Sequence, residues 1–351
     1  MLVFLGVVIT ITSVMVIKDP LSPSKSIASV IYPDNINISY TPQVSAKAAI
    51  VIDGLSGAVL FEKNTSEKLP MASTTKIMTA KVILDNMDPQ TVVSVPKEAT
   101  LVEGSSIYLR ENEKITVETL LYGLMLESGN DAAHTLAVAC SGSIERFAEL
   151  MNKTAKDMGL INTSFENPHG LTCENHYTTA YELAYITFNA MQNPMFRKLV
   201  STKNMVIQSI DGEFTRYFSN HNKLLRIYDN AIGVKTGYTK AAGRCLVSAA
   251  EKDGKMFIAV TLNDGNDWND HINMMNFAFE NFDTVEIAQK GSFQIYNSDG
   301  CALTNEQDIY LTVPKGNFPV LSYSVSINNE IAKVQYFADG LKMGEFTLVQ
   351  D

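Results

Sequence analysis

A serine hydroxyl is a weak nucleophile until a neighbouring base takes its proton, so a serine with a lysine three residues further on is a pattern worth locating. Ser73-Thr74-Thr75-Lys76 is one such stretch. On a helix, residues three apart share a face at about 5–6 Å between Cβ atoms, so a deprotonated Lys76 could accept the Ser73 proton. The positive end of a helix N-terminus would favour negative charge developing there. The spacing recurs at Ser22-Pro23-Ser24-Lys25 and Ser94-Val95-Pro96-Lys97, but the prolines put both in extended or loop sequence, where the helical argument fails. Alone, Ser73 and Lys76 equally describe a helix whose first turn happens to carry both.

A second stretch, Ser128-Gly129-Asn130, interrupts an apolar helical run that ends at Leu126. A hydroxyl and a carboxamide on a short turn can project into a cleft, Ser128 to relay protons and Asn130 to hold a substrate amide. The bland alternative is a helix break with Asn130 as N-cap, and Ser326-Ile327-Asn328 fits the same template. The third stretch, Lys235-Thr236-Gly237, occurs once and ends the apolar run Ile232-Gly233-Val234. Lys235 and Thr236 offer a cation and a hydroxyl to a carboxylate, and Gly237 permits close approach of another backbone.

Positioning these groups requires particular elements. Residues 48–53 and 58–62 read as a β-hairpin around Gly54-Leu55-Ser56-Gly57. A helix is expected after Pro70, because proline is tolerated in a first turn and Ile77, Met78, Val82 and Leu84 follow without a breaker. Residues 116–159 are helical in pattern throughout, with Leu120, Leu121, Leu124 and Met125 on one face. Residues 232–236, 245–250 and 256–263 read as strands, and 268–282 as a returning helix. Beyond Asp283 the chain turns to short alternating segments punctuated by Pro314, Gly316 and Gly340, a small all-β domain. The order implies a sheet covered by helices.

At 351 residues with 46% hydrophobic composition, the chain is long enough for two domains and a real core. Its net charge of −10 carries no basic cluster, so no footprint for nucleic acid is expected. Residues 1–17 are uncharged and mostly apolar, a secretory signal or membrane anchor, and either implies export. Four prolines among residues 18–45 mark an extended linker. The four cysteines form no C-x-x-C pair, Cys140 and Cys245 reading as small core residues, and the five histidines form no His-x-x-x-His pair. Neither a catalytic metal nor another cofactor is therefore expected. Trp268, the single tryptophan, should pack the returning helix.

The three stretches in this order resemble the signature of the penicillin-binding and serine β-lactamase superfamily. With glycine at the centre of the second stretch, the chain is more similar to the low-molecular-weight D-alanyl-D-alanine carboxypeptidases, peptidase family S11. Pro70-Met71-Ala72-Ser73-Thr74-Thr75-Lys76-Ile77-Met78-Thr79, Asn167-Pro168-His169-Gly170-Leu171 and Gly233-Val234-Lys235-Thr236-Gly237-Tyr238-Thr239 carry the likeness, which runs from about Ala48 to the end. The resemblance implies an α/β (α+β) transpeptidase-like fold with a helical subdomain over residues 46–282, then a small β-sandwich-like domain over 283–351.

It also implies roles. Ser73 would form the acyl-enzyme, with Lys76 as general base. Ser128 and Lys235 would assist proton transfer and carboxylate binding. Asn130, Thr236 and Gly237 would line the substrate site, and the backbone N–H groups of Ser73 and Tyr238 would form the oxyanion hole. Substrate would be a peptidoglycan stem peptide ending in D-Ala-D-Ala, with β-lactams as covalent inhibitors. For Lys76 to act near neutral pH, burial and the charge of Lys235 must depress its pKa. Two departures stand out. The family's C-terminal amphipathic membrane helix is replaced by a strand-like segment, leaving membrane association to residues 1–17. His221 stands where some relatives have a carboxylate-binding arginine, so His221, or Lys235 with Arg244, would serve instead. A β-lactamase of the same fold and a catalytically silent wall-binding protein are the competing readings. The first would need a deacylating base, for which Glu166 reads as a solvated loop carboxylate instead.

Overall fold

The structure is a computed structural model and describes residues 40–297, 300–316, 321–328, 331–338 and 341–350. The apolar stretch at 1–17, the linker up to residue 39 and the Ser22–Lys25 repeat of the Ser-x-x-Lys spacing lie outside the described residues. By its internal contacts the chain divides into a larger unit, Tyr40–Gly54 with Leu60–Ala278, and a smaller one that includes Leu55–Val59 and Phe279–Asp351.

The larger unit is built on strands β1 (Ala48–Asp53) and β2 (Val59–Lys63), with β7 (Ala231–Thr239), β8 (Gly243–Lys252) and β9 (Lys255–Leu262) completing a sheet in the order β2-β1-β9-β8-β7. Between β2 and β7 come helices α1 (Lys76–Asn86), α2 (Val117–Leu126), α3 (Asn130–Ser141), α4 (Ile144–Asp157), α5 (Ala180–Ala190), α6 (Pro194–Ser201) and the single turn α7 (Leu224–Ile227). Two hairpins interrupt them, β3 (Val92–Ser94) with β4 (Lys114–Thr116), and β5 (Asn204–Gln208) with β6 (Thr215–Ser219). Helix α8 (Asp267–Asn281) follows β9.

Strand β1 is buried along its whole length and pairs antiparallel with β9 from Ala48↔Leu262 to Asp53↔Phe257. A strand covered on both faces reads as a continuous apolar run, as Ala-Ala-Ile-Val-Ile does. Helices α2, α4, α5 and α6 start on side-chain caps, from Thr116, Ser143, Thr179 and Asn193. Each satisfies N–H groups that the first turn leaves unpaired. Helices α1 and α3 have no side-chain cap, and these are the two whose first residues are Lys76 and Asn130. Asn130 is thus inside α3, with Gly129 at the cap position, which corrects its reading as an N-cap.

Among the described residues of the smaller unit, β10 (Phe282–Ala288) pairs with β13 (Ile309–Pro314). A second sheet runs β11 (Gln294–Tyr296), β12 (Ala302–Asn305), β16 (Leu341–Gln350), β15 (Ile331–Ala338), β14 (Leu321–Asn328). Leu303, Ala332, Val334 and Leu348 form its apolar centre, with Phe293, Ile295 and Phe346 packed against it. Ser326 lies in β14, a strand setting unlike the helix-breaking turn at Ser128.

Two packing expectations are corrected. Cys140 is only half-buried, because α3 turns its C-terminal end outward at Ala139, whereas Cys245 is buried. Trp268 is partly exposed and lies under the Arg244 guanidinium, 5.9 Å from ring centroid to Cζ. All four cysteines are free thiols. No helix among the described residues is long and apolar enough to cross a membrane.

Candidate active site

Ser73 lies in a 3-10 turn, Ala72–Thr75, that leads directly into α1, and Lys76 is the first residue of that helix. Ser73 is partly exposed while Lys76 is fully buried, so the hydroxyl faces the opening and the amine lies beneath it. Lys76 Nζ is 3.0 Å from Ser73 Oγ, 2.7 Å from Asn130 Oδ1 and 2.7 Å from the carbonyl oxygen of His169. Asn130 Nδ2 donates to the Glu103 carbonyl at 2.7 Å, which fixes the amide with its oxygen toward the lysine.

Burial and the neighbouring Lys235 push the Lys76 pKa well below its ordinary value, against a smaller opposing pull from Asp131. A neutral amine has two N–H donors and one lone pair. In that form Asn130 Oδ1 and the His169 carbonyl, which only accept, would take both donors and leave the lone pair for the hydroxyl proton of Ser73. Hydroxyl and amine lie within hydrogen-bond reach, as proton transfer between them would require.

Asn130 reaches Lys76 because α2 and α3 do not run on into each other. Ser128 is buried with φ of 61°, a left-handed backbone that ends α2 and re-aims the chain. Asn130 N then donates to the Ser105 carbonyl at 2.7 Å. Opposite lies β7, with Lys235 fully buried and donating to the Thr236 carbonyl at 2.8 Å. Burial lowers the Lys235 pKa to about 7, so this amine gains or loses its charge near neutrality. At Gly237 an added Cβ would stand 2.9 Å from the Ser73 nitrogen, so glycine is what lets β7 approach the turn.

Further residues order the site, some within the Asn167–Leu171 stretch that carried the family likeness and others, His176 and Asp131, with no sequence signal of their own. Gly170 has φ of 90°, and a Cβ there would fall 1.9 Å from the Ala72 carbonyl oxygen; only glycine lets this loop pass the nucleophile turn. Asn167 Oδ1 accepts from His169 N and Gly170 N at 3.2 and 2.7 Å, and so aims the His169 carbonyl at Lys76. His176 accepts from Glu166 N through Nδ1 at 3.1 Å, so its Nε2 proton goes to Thr75 Oγ1 at 2.8 Å, and that hydroxyl donates to the Ala72 carbonyl. Burial lowers the His176 pKa to about 4, consistent with a neutral ring in this relay. Asp131, 1% exposed, accepts from Ser106 Oγ, Ile107 N, Leu109 N and Ala132 N, gathering the loop that supplies the Ser105 and Glu103 carbonyls.

Two of the residues offered in place of a carboxylate-binding arginine, Arg244 and His221, already have acidic partners. Arg244 is bidentate on Asp267, so its fork is already filled. His221 is exposed and 3.1 Å from Glu127. Glu166 is exposed, and its carboxylate accepts from Asn175 N at 2.8 Å, a contact within its own loop. His271, fully buried, bridges Ser248 Oγ and Thr261 Oγ1 across β8 and β9; burial depresses its pKa to about 3, so it is a neutral core group.

Comparison with known proteins gives a consistent picture. The family profile described as D-alanyl-D-alanine carboxypeptidase matches residues 35–266. A Bacillus subtilis D-alanyl-D-alanine carboxypeptidase is 38% identical over 254 residues, which is 70% of this chain and 65% of that protein's length. A D-alanyl-D-alanine carboxypeptidase from Streptomyces is 36% identical over 237 residues, 63% of this chain and 81% of the relative. Among solved structures, a Francisella tularensis D-alanyl-D-alanine carboxypeptidase superposes with a TM-score of 0.71 at 25% identity, covering 92% of this chain and 96% of that one.

Proposed function

Since the chain belongs to the D-alanyl-D-alanine carboxypeptidase family, we propose that it removes the terminal D-alanine from peptidoglycan stem peptides through an acyl-enzyme on Ser73, and that β-lactams acylate the same oxygen. The observation that carries this is the Lys76 amine, fully buried and within hydrogen-bond distance of Ser73 Oγ, Asn130 Oδ1 and the His169 carbonyl.

Ser73 Oγ attacks the carbonyl of the penultimate D-alanine as its proton passes to Lys76 Nζ. The N–H groups of Ser73 and Tyr238 meet the oxyanion as fixed donors, a reading supported by the close approach of β7 to the Ser73 turn at Gly237. Lys235 and Thr236 receive the terminal carboxylate, and the incoming anion favours the charged form of Lys235. Asn130 orients the peptide, and Ser128 passes the proton to the departing D-alanine nitrogen. Water then attacks the ester and regenerates Ser73. Export through residues 1–17 would place this reaction at the outer face of the cytoplasmic membrane, where the cell-wall substrate is.

Release of D-alanine from an N-acylated Lys-D-Ala-D-Ala peptide tests the activity, and its pH dependence tests the coupling of the two lysines. Lys235 depresses the Lys76 pKa, so Lys235→Met should let that pKa rise and move the acid limb of the benzylpenicillin acylation rate to higher pH. An acid limb that stays in place in this variant would show that the two amines are not coupled.

A further inference from the structure

Ala72 precedes the proposed nucleophile and has φ of 48°, a left-handed backbone that a residue carrying a Cβ seldom adopts. A conformation of this kind persists only where its surroundings hold it. What is held here is one peptide unit. The Ala72 carbonyl and the Ser73 N–H share a plane and point in opposite directions, so a group that fixes the carbonyl oxygen also aims the N–H. That N–H is one of the two donors assigned to the oxyanion in the proposed reaction.

A relay of hydrogen bonds ends on this carbonyl. Thr75 Oγ1 donates to it at 2.8 Å. A hydroxyl has one proton, so Thr75 Oγ1 accepts at its other contact, His176 Nε2 at 2.8 Å. The ring must then carry its proton on Nε2, and Glu166 N, which donates to Nδ1 at 3.1 Å, requires the same tautomer. From backbone N–H through imidazole and hydroxyl, every bond donates toward the Ala72 oxygen. Bonds in such a chain polarise one another, and a peptide whose oxygen accepts one is the better donor at its nitrogen.

The relay is buried and braced. His176 is 4% exposed and Thr75 1%, so neither side chain is open to a ligand, and any effect on the reaction passes through the backbone of the turn. Leu69 and Thr178 exchange backbone hydrogen bonds at 2.8 and 3.0 Å, as do Ser164 and Tyr177 at 2.9 and 3.1 Å. The chain at 176–178 is therefore paired with two neighbours, one of them the segment that runs into the nucleophile turn. Phe165 meets the His176 ring edge-on, with centroids 5.9 Å apart. Burial lowers the His176 pKa to about 4, so the ring is neutral near pH 7.

We propose that His176 and Thr75 are positioning residues that aim the Ser73 N–H at the oxyanion through the Ala72 carbonyl. This role rests on the acyl-enzyme reading of Ser73. The oxyanion forms only on the way to the acyl-enzyme, so a lost aim should slow acylation and leave prior binding alone. Stopped-flow acylation by benzylpenicillin separates the rate constant from Kd. Thr75→Val keeps the shape and removes the hydroxyl; it should lower the rate constant by about thirtyfold, less than the loss of a whole oxyanion donor, with Kd within about twofold. Thr75→Ser, which keeps the hydroxyl, should stay within about threefold of the unaltered protein. Thr75→Val combined with His176→Leu should be no slower than Thr75→Val alone, to within about threefold, because members of one relay are not additive. A rate constant for Thr75→Val within about twofold of the unaltered protein, a loss that falls on Kd, or losses that multiply in the double variant would overturn the relay. Should chains carrying His176→Leu fail to fold by circular dichroism, Thr75→Val against Thr75→Ser decides alone. If benzylpenicillin acylates neither the unaltered protein nor any variant, the Ser73 reading itself falls, and the aiming role with it.

Discussion

Lys76→Met is expected to reduce acylation by benzylpenicillin and release of D-alanine by about 10⁴-fold or more, the scale on which loss of a nucleophile's base acts. Methionine nearly fills the space of the lysine stem, so the loss is of the lone pair and not of packing. Arginine separates the two ways an amine could act at this position. Lys76→Arg keeps a permanent cation and has no basic lone pair at neutral pH, so it should be as inactive as Lys76→Met if proton abstraction is the role. A rate within tenfold of the unaltered protein in Lys76→Arg would mean that positive charge, not basicity, is what Ser73 requires. Stopped-flow acylation rates for both variants, with circular dichroism to verify the fold, decide it.

Asp131→Ala should be the most destabilising single change at the site, by about 3 kcal/mol. Asp131 is buried and receives four donors, and alanine would leave the buried Ile107 and Leu109 N–H groups without a partner at roughly 1–3 kcal/mol each. The same change frees the loop that carries Glu103 and Ser105, the carbonyls that hold Asn130, so activity should fall along with stability. Denaturant unfolding measures the first and D-alanine release the second. A midpoint shift equivalent to less than about 1 kcal/mol would show that the 105–109 loop does not depend on this carboxylate.

How far the site could be read in advance follows from where its chemistry resides. Ser73 and Lys76 were legible because Pro70 and the uninterrupted apolar run behind them place the pair on a helix, and Lys235 because its tripeptide ends an apolar strand. The His169 and Glu103 carbonyls were not legible, since every residue has a carbonyl and only the fold says which one points at an amine. Asp131 was not legible either, because its carboxylate reaches back to residues 106–109, a contact that spacing along α3 does not reveal. Helix α5 is buried on nearly all sides, so it lacks the one-sided period by which helices are recognised. The β5–β6 hairpin has a clear alternation of exposed and covered residues in the structure, but Asn204, Gln208 and Arg216 among them blur it in sequence. Arg244 illustrates the converse: residue type suggested a carboxylate ligand, and the structure supplies that carboxylate from within, as Asp267.

The central claim is that Ser73 is the acylated nucleophile, and intact mass after incubation with benzylpenicillin tests it most directly. The unaltered protein should gain one penicilloyl group that persists over the incubation, and Ser73→Ala should gain none. An adduct of the same mass on Ser73→Ala, or no adduct and no penicillin consumed by the folded unaltered protein, would contradict the account.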